Sequence, residues 1–140
     1  MGLFGFMKKG KSLDKLYDEL CKKAYNADIR DDDISLLDEK EKVFFVLYTF
    51  HLELDNGGIK QFFENSSRVY APLISEYLEI VKATKHKRLF DEFVSSNNLD
   101  LYDSTKWVDT ISRDVYDTFD DEFYKLSELE VHLEVYIENM

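Results

Sequence analysis

Residues 43–54 read V-F-F-V-L-Y-T-F-H-L-E-L, apolar on nearly every side of any helix they could form. A helix that is hydrophobic all round is stable only when other elements enclose it. Val43-Phe44-Phe45-Val46 would by local propensity also suit a buried strand. Length and the start signal decide for helix. Asp38-Glu39-Lys40-Glu41 is an aspartate-led capping box, and residues 38–55 far exceed a usual strand of about five or six residues. The chain is therefore expected to wrap around one central helix.

The remaining apolar residues supply the wrapping. Leu13, Leu16, Tyr17, Leu20 and Ala24 follow three- and four-residue spacing, with Ser12 placed as N-cap. Residues 28–33 are a polar, acidic break. Gly57-Gly58 ends the central helix, because glycine accepts the left-handed C-terminal conformation. A helical turn over 59–64 follows, stopped by Asn65-Ser66-Ser67. Pro72 opens a helix carrying Leu73, Ile74, Tyr77, Leu78 and Val81. Leu89, Phe90, Phe93 and Val94 mark another, closed at residues 95–98. Trp107, Val108, Ile111, Val115 and Phe119 predict one long helix beginning near Ser104, and Leu126, Leu129, Leu133, Tyr136 and Ile137 predict a last one. No period-2 hairpin pattern appears. The expectation is all-α: a single compact domain over 12–140 of about six or seven helices, the apolar one central, with residues 1–11 as a mobile arm or an amphipathic dock.

At 140 residues the chain can bury a core without staples. Its single Cys forms neither an internal disulfide nor a cysteine zinc site. No stretch approaches the roughly 18 apolar residues of a membrane span, and the first residues do not read as a signal peptide, so the expected home is the cytoplasm with no membrane contact.

Charge is distributed unevenly. Residues 1–90 hold 15 acidic and 15 basic side chains; residues 91–140 hold 14 acidic and only Lys106, Arg113 and Lys125, so the net charge of −11 lies wholly in the last 50 residues. Direct nucleic-acid binding is opposed by this sign. Asp114, Asp117 and Asp121 share one helix face, where repulsion costs roughly 0.2–0.5 kcal/mol per pair. With Asp109 and Glu130 they form the candidate partner-binding face, suited to a basic protein. The alternative is a solubilising surface.

Residues 53–67 read E-L-D-N-G-G-I-K-Q-F-F-E-N-S-S. This resembles the signature of the bacterial DNA-mimic protein family, matching at Glu53, Asn56, Gly57, Gly58, Gln61, Phe63, Asn65 and Ser66. Asp121-Glu122-Phe123-Tyr124 and the helix after it look like the family's terminal element. Ile59 stands at a place usually aromatic, and Arg68 where a glycine often sits. The resemblance implies an all-α fold without known catalysis, and a surface that stands in for DNA against a DNA-binding regulator.

Read as residues alone, Gly57-Gly58 permits a sharp reversal that returns Gln61 and Asn65 toward the end of the central helix. There Glu53, Asn56, Gln61 and Asn65 can satisfy orphaned helix-end groups, which makes them a structural motif. Two other readings stay open: a small enzyme using the Glu53/Asn56/Gln61 corner, and an immunity-type inhibitor of a toxin. The corner holds no nucleophile or paired base, so no catalytic residue is assigned and a non-enzymatic role is expected. His51 and Asp55 are four apart but need a third ligand from elsewhere; His86 and His132 have no such neighbour, so neither a metal nor a cofactor is expected. Cys21 beside Lys22 and Lys23 reads as a half-buried apolar residue. A homodimer would double the acidic rows.

Overall fold

The computed structural model describes the backbone of residues 2–140 and the side chains from Leu13 onward. Among the described residues there are six α-helices: α1 (Gly2–Ala24), α2 (Glu39–Glu64), α3 (Ala71–Ile80), α4 (Thr84–Ser96), α5 (Arg113–Lys125) and α6 (Leu129–Glu138). The all-α single domain expected from periodicity is the fold observed. The side chains of the expected N-terminal arm, 1–11, and the capping role given to Ser12 lie outside the described side chains; the helix expected to start there runs from Gly2.

Helix α2 is the centre. Its capping box forms: Asp38 Oδ1 accepts the Glu41 N–H at 2.8 Å, and Glu41 Oε1 accepts the Asp38 N–H at 2.9 Å. Lys23 pairs with the same Glu41 carboxylate at 2.8 Å, fastening the end of α1 to the start of α2. Phe44, Val46, Leu47 and Phe50 are wholly buried. The rings pack edge to face, as the quadrupole favours: Phe50 against Phe62 with centroids 4.9 Å apart, and Phe63 against Trp107 at 4.7 Å. Helices α1, α3, α5 and α6 all pack on α2.

Three expectations need correction. The acidic break carries one strand of a two-residue antiparallel ladder, Asp31–Asp32 against Tyr25–Asn26, too short to show as an alternating pattern. Gly57-Gly58 is not a helix stop: only Gly58 has a positive φ, of 82°, and helical turns resume after it as far as Glu64. The long helix from Ser104 does not exist. A 3₁₀ turn at Ser104–Lys106 leads into an irregular stretch, and α5 starts only at Arg113, capped by Ser112. One long-range anchor and two shorter ones hold that break. Ser104 Oγ–H donates to the Phe63 carbonyl at 2.8 Å, the Trp107 indole N–H donates to the Asp100 carbonyl at 2.9 Å, and the Tyr116 hydroxyl donates to the Val108 carbonyl at 2.6 Å.

Candidate interaction surface

Helix α5 turns Tyr116 and Phe119 into the core and leaves Asp114, Asp117, Asp121 and Glu122 exposed. At about 100° per residue, Asp114, Asp117 and Asp121 share one outward face, so this part of the predicted row is contiguous. The late start of α5 alters its energetics. Asp114 falls in the first turn, where a carboxylate complements the helix dipole. Arg113 Nε lies 3.7 Å from Asp117 Oδ2, an exposed i,i+4 pair.

Asp120, one residue off this row, points elsewhere. Its Oδ1 accepts the Ile59 N–H at 2.9 Å, the amide freed by the break at Gly58. Burial pushes the Asp120 carboxyl up; the Ile59 amide opposes this, and the neighbouring Asp117 and Asp121 charges add to it. Beyond the break the chain folds back. Asn65 Nδ2–H donates to Glu53 Oε2 at 2.7 Å, although residues 12 apart on a straight helix would be separated by about 18 Å. Gln61 lies against Gly57, and Asn56 is exposed. Glu53 and Asn65 thus meet, while Asn56 and Gln61 do not join them.

The family model described as DMP19-like protein matches residues 35–140. The chain belongs to this family. No curated protein and no solved structure matches it. The DMP19-like region takes in all of α2 to α6, hence the kinked helix, the Asp120 tie and the α5 row.

Elsewhere in this DMP19-like chain the predicted face divides. Asp109 sits in the irregular stretch before α5, with Lys60 Nζ 3.9 Å from its carboxylate. Glu130, on α6, is half-buried and turned toward α2: its Oε1 lies 3.2 Å from His51 Nε2, and Asp55 Oδ2 lies 3.3 Å from the same nitrogen. Both carboxylates address one imidazole nitrogen, linking α2 to α6. Among the described residues, no group of three or more His, Cys, Asp and Glu side chains is arranged to hold a metal. His86 Nε2 is 2.7 Å from the Ser127 carbonyl, and its buried Nδ1 has no partner. Cys21 is half-buried, and burial pushes its thiol up, away from the reactive thiolate. No helix among the described residues is long and apolar enough to cross a membrane.

Sequence reasoning missed Asp120. Its residue type gave no signal, because it sits within a run of acids; only the 61-residue reach to Ile59 distinguishes it. The 79-residue link from His51 to Glu130 was hidden for the same reason.

Proposed function

We propose that the chain is a non-enzymatic protein-binding domain whose acidic C-terminal part occupies the basic surface of a partner, as DNA would. The observation that carries this is the α5 row. Asp114, Asp117 and Asp121 stand outward in a 50-residue region that holds the whole net charge of −11. Carboxylates three or four residues apart are spaced by about 4.5–6 Å along the helix axis. An arginine-rich groove built to meet closely spaced phosphates can engage such a row. Family membership supports the same reading, since it rests on the region that contains this row. The alternative of an enzyme centred on Glu53, Asn56 and Gln61 gains no support from the geometry: the Glu53 carboxylate is engaged by Asn65, and Gln61 lies against Gly57.

The test is affinity capture on the immobilised chain from its cell of origin, with elution by a salt gradient and mass-spectrometric identification. A basic DNA-binding protein released as the Debye length falls from about 10 Å at 0.1 M to about 3 Å at 1 M salt supports the reading. Capture that is salt-insensitive, or that yields only neutral and acidic proteins, overturns it.

A further inference from the structure

Helices α4 and α5 do not close against each other along their outer edges. Between them lies a groove of about 390 Å³ floored by Leu89, Phe93, Val115 and Phe119. Phe93 and Phe119 reach into the core, while Leu89 and Val115 are only half-buried and form the open part of the floor. The lining residues of each helix follow helical spacing over two turns, from Leu89 to Ser96 on α4, with Asn97 at its C-cap, and from Asp114 to Glu122 on α5. Two helices that present parallel apolar ridges leave a seat shaped for a third, whose own side chains at i, i+3 or i+4, and i+7 fill it.

The rim sets the charge of that third helix. Glu92 stands on the α4 wall, and Asp114 and Glu122 stand on the α5 wall; no lysine or arginine is among the described lining residues. Glu122 carries one exposed partner, Lys125 at 3.3 Å, outside the groove. Asp114 and Glu122 are eight residues apart, about 12 Å along α5. Cationic side chains two turns apart on an incoming helix match that separation. A nucleic-acid strand is repelled by the same rim, and its backbone offers nothing to the apolar floor.

We propose that the groove between α4 and α5 is the docking seat for an amphipathic helix of a basic protein, with apolar residues on the floor and Arg or Lys on the rim. This rests on the reading of the chain as a binder of basic proteins and deepens it. Contact is then made by an apolar anchor ringed by charge, not by a carboxylate row alone. Apolar burial supplies affinity, while the rim supplies steering and orientation.

A fluorescent synthetic peptide tests this: about 16 residues, or four turns, with leucine along one face and arginine beside it. A control peptide carries glutamate in place of each arginine. Anisotropy titration is expected to show binding of the cationic peptide and none of the anionic one. Glu92→Lys with Glu122→Lys, one on each wall of the groove and neither in the outward row, should weaken binding about tenfold, as two partly screened attractions become repulsions. Leu89→Gln should weaken it comparably, with circular dichroism confirming retained helix. Asp117→Asn with Asp121→Asn, on the outward row, should change it by less than about threefold.

Equal binding to the parent and the rim-reversed chain overturns the proposal, as does a loss confined to the outward-row variant. Sedimentation of the parent alone tests the other occupant: a dimer abolished by rim reversal would assign the groove to a second copy and overturn the proposal. The two readings fail separately. A salt-sensitive basic partner that binds the rim-reversed chain unchanged removes the groove and keeps the acidic binder.

Discussion

Asp120 fills the space that a side chain on Gly58 would need. A Cβ built at Gly58 would lie 2.3 Å from Asp120 Oδ2, while the other oxygen of that carboxylate accepts the Ile59 amide at 2.9 Å. The bend in α2 and the seating of α5 are thus one arrangement. The glycine permits the backbone turn, and the aspartate satisfies the amide that the turn exposes.

Gly58→Ala is therefore expected to cost stability twice. A φ of 82° with ψ of −176° is a region that only glycine occupies without strain, and the new methyl displaces the Asp120 carboxylate. Together these should amount to about 2–4 kcal/mol. Gly57→Ala should cost less than half of that. Its φ is not positive, and the atom in the way is the end of the flexible Gln61 side chain, 1.9 Å from the built Cβ. Urea denaturation of the two variants checks the order; equal midpoints would show that the left-handed position does not govern the bend.

Asp120 itself separates hydrogen bonding from charge. Asp120→Ala leaves the Ile59 amide without an acceptor, at a cost of about 1–3 kcal/mol. Asp120→Asn keeps an acceptor and removes a carboxylate that burial and two neighbouring acids disfavour. Its loss at neutral pH should be under about 1 kcal/mol. Because the folded-state carboxyl titrates above its ordinary range, the parent gains relative stability as pH falls through that window, and the Asn variant lacks this gain. Denaturation of both variants and the parent at pH 4 and pH 7 reads the difference.

His86 gives the opposite slope. It is 1% exposed, and burial lowers its proton affinity; the Ser127 carbonyl partly restores it. The unfolded chain then binds the proton more readily than the folded one. Stability is full above the ordinary imidazole range and falls as pH drops through it toward the depressed folded value, by at most about 1.4 kcal/mol per pH unit. His132, whose ring centroid is 5.5 Å away, shifts in the same direction. Melting temperature measured from pH 7.5 to pH 5.5 should decline, and His86→Phe, which suits the edge-to-face contact with Phe123, should flatten that decline. A parent profile that is level over this range would refute the burial argument.

How far the fold was legible depended on the range of the forces involved. The all-round apolar run and the Asp38/Glu41 box are local, so the central helix and its start followed from the residues themselves. The double glycine located the bend within one residue. The stretch from Trp107 to Phe119 kept helical spacing although its first part is not helical, because Trp107 is held by the distant Phe63 ring and the Asp100 carbonyl. Ser112 was the overlooked start signal; its Oγ accepts the Val115 N–H at 3.4 Å. Of the acidic face, the three α5 residues were legible through period alone. Glu130 was not, since only the folded packing of α6 on α2 brings it to His51.

The corrected start of α5 changes what the acidic row should do when neutralised. In a helix beginning near Ser104, Asp114 would sit mid-helix, beyond the reach of the favourable N-terminal dipole. With α5 starting at Arg113, Asp114 lies in the first turn and complements it. Asp114→Asn should then lower stability by about 0.3–1 kcal/mol. Asp121→Asn should raise it slightly, by about 0.2–0.5 kcal/mol, because the i,i+4 repulsion with Asp117 disappears. Against a basic partner both changes remove one negative charge from the same face, so both should weaken association, most at low salt. Stability moves in opposite directions while affinity moves in one. Thermal melts paired with binding titrations at 50 mM and 500 mM salt (roughly a threefold change in Debye length) read the two effects independently. If affinity follows stability instead, weakening for Asp114→Asn and strengthening for Asp121→Asn, the row acts through helix stability and not through contact with the partner.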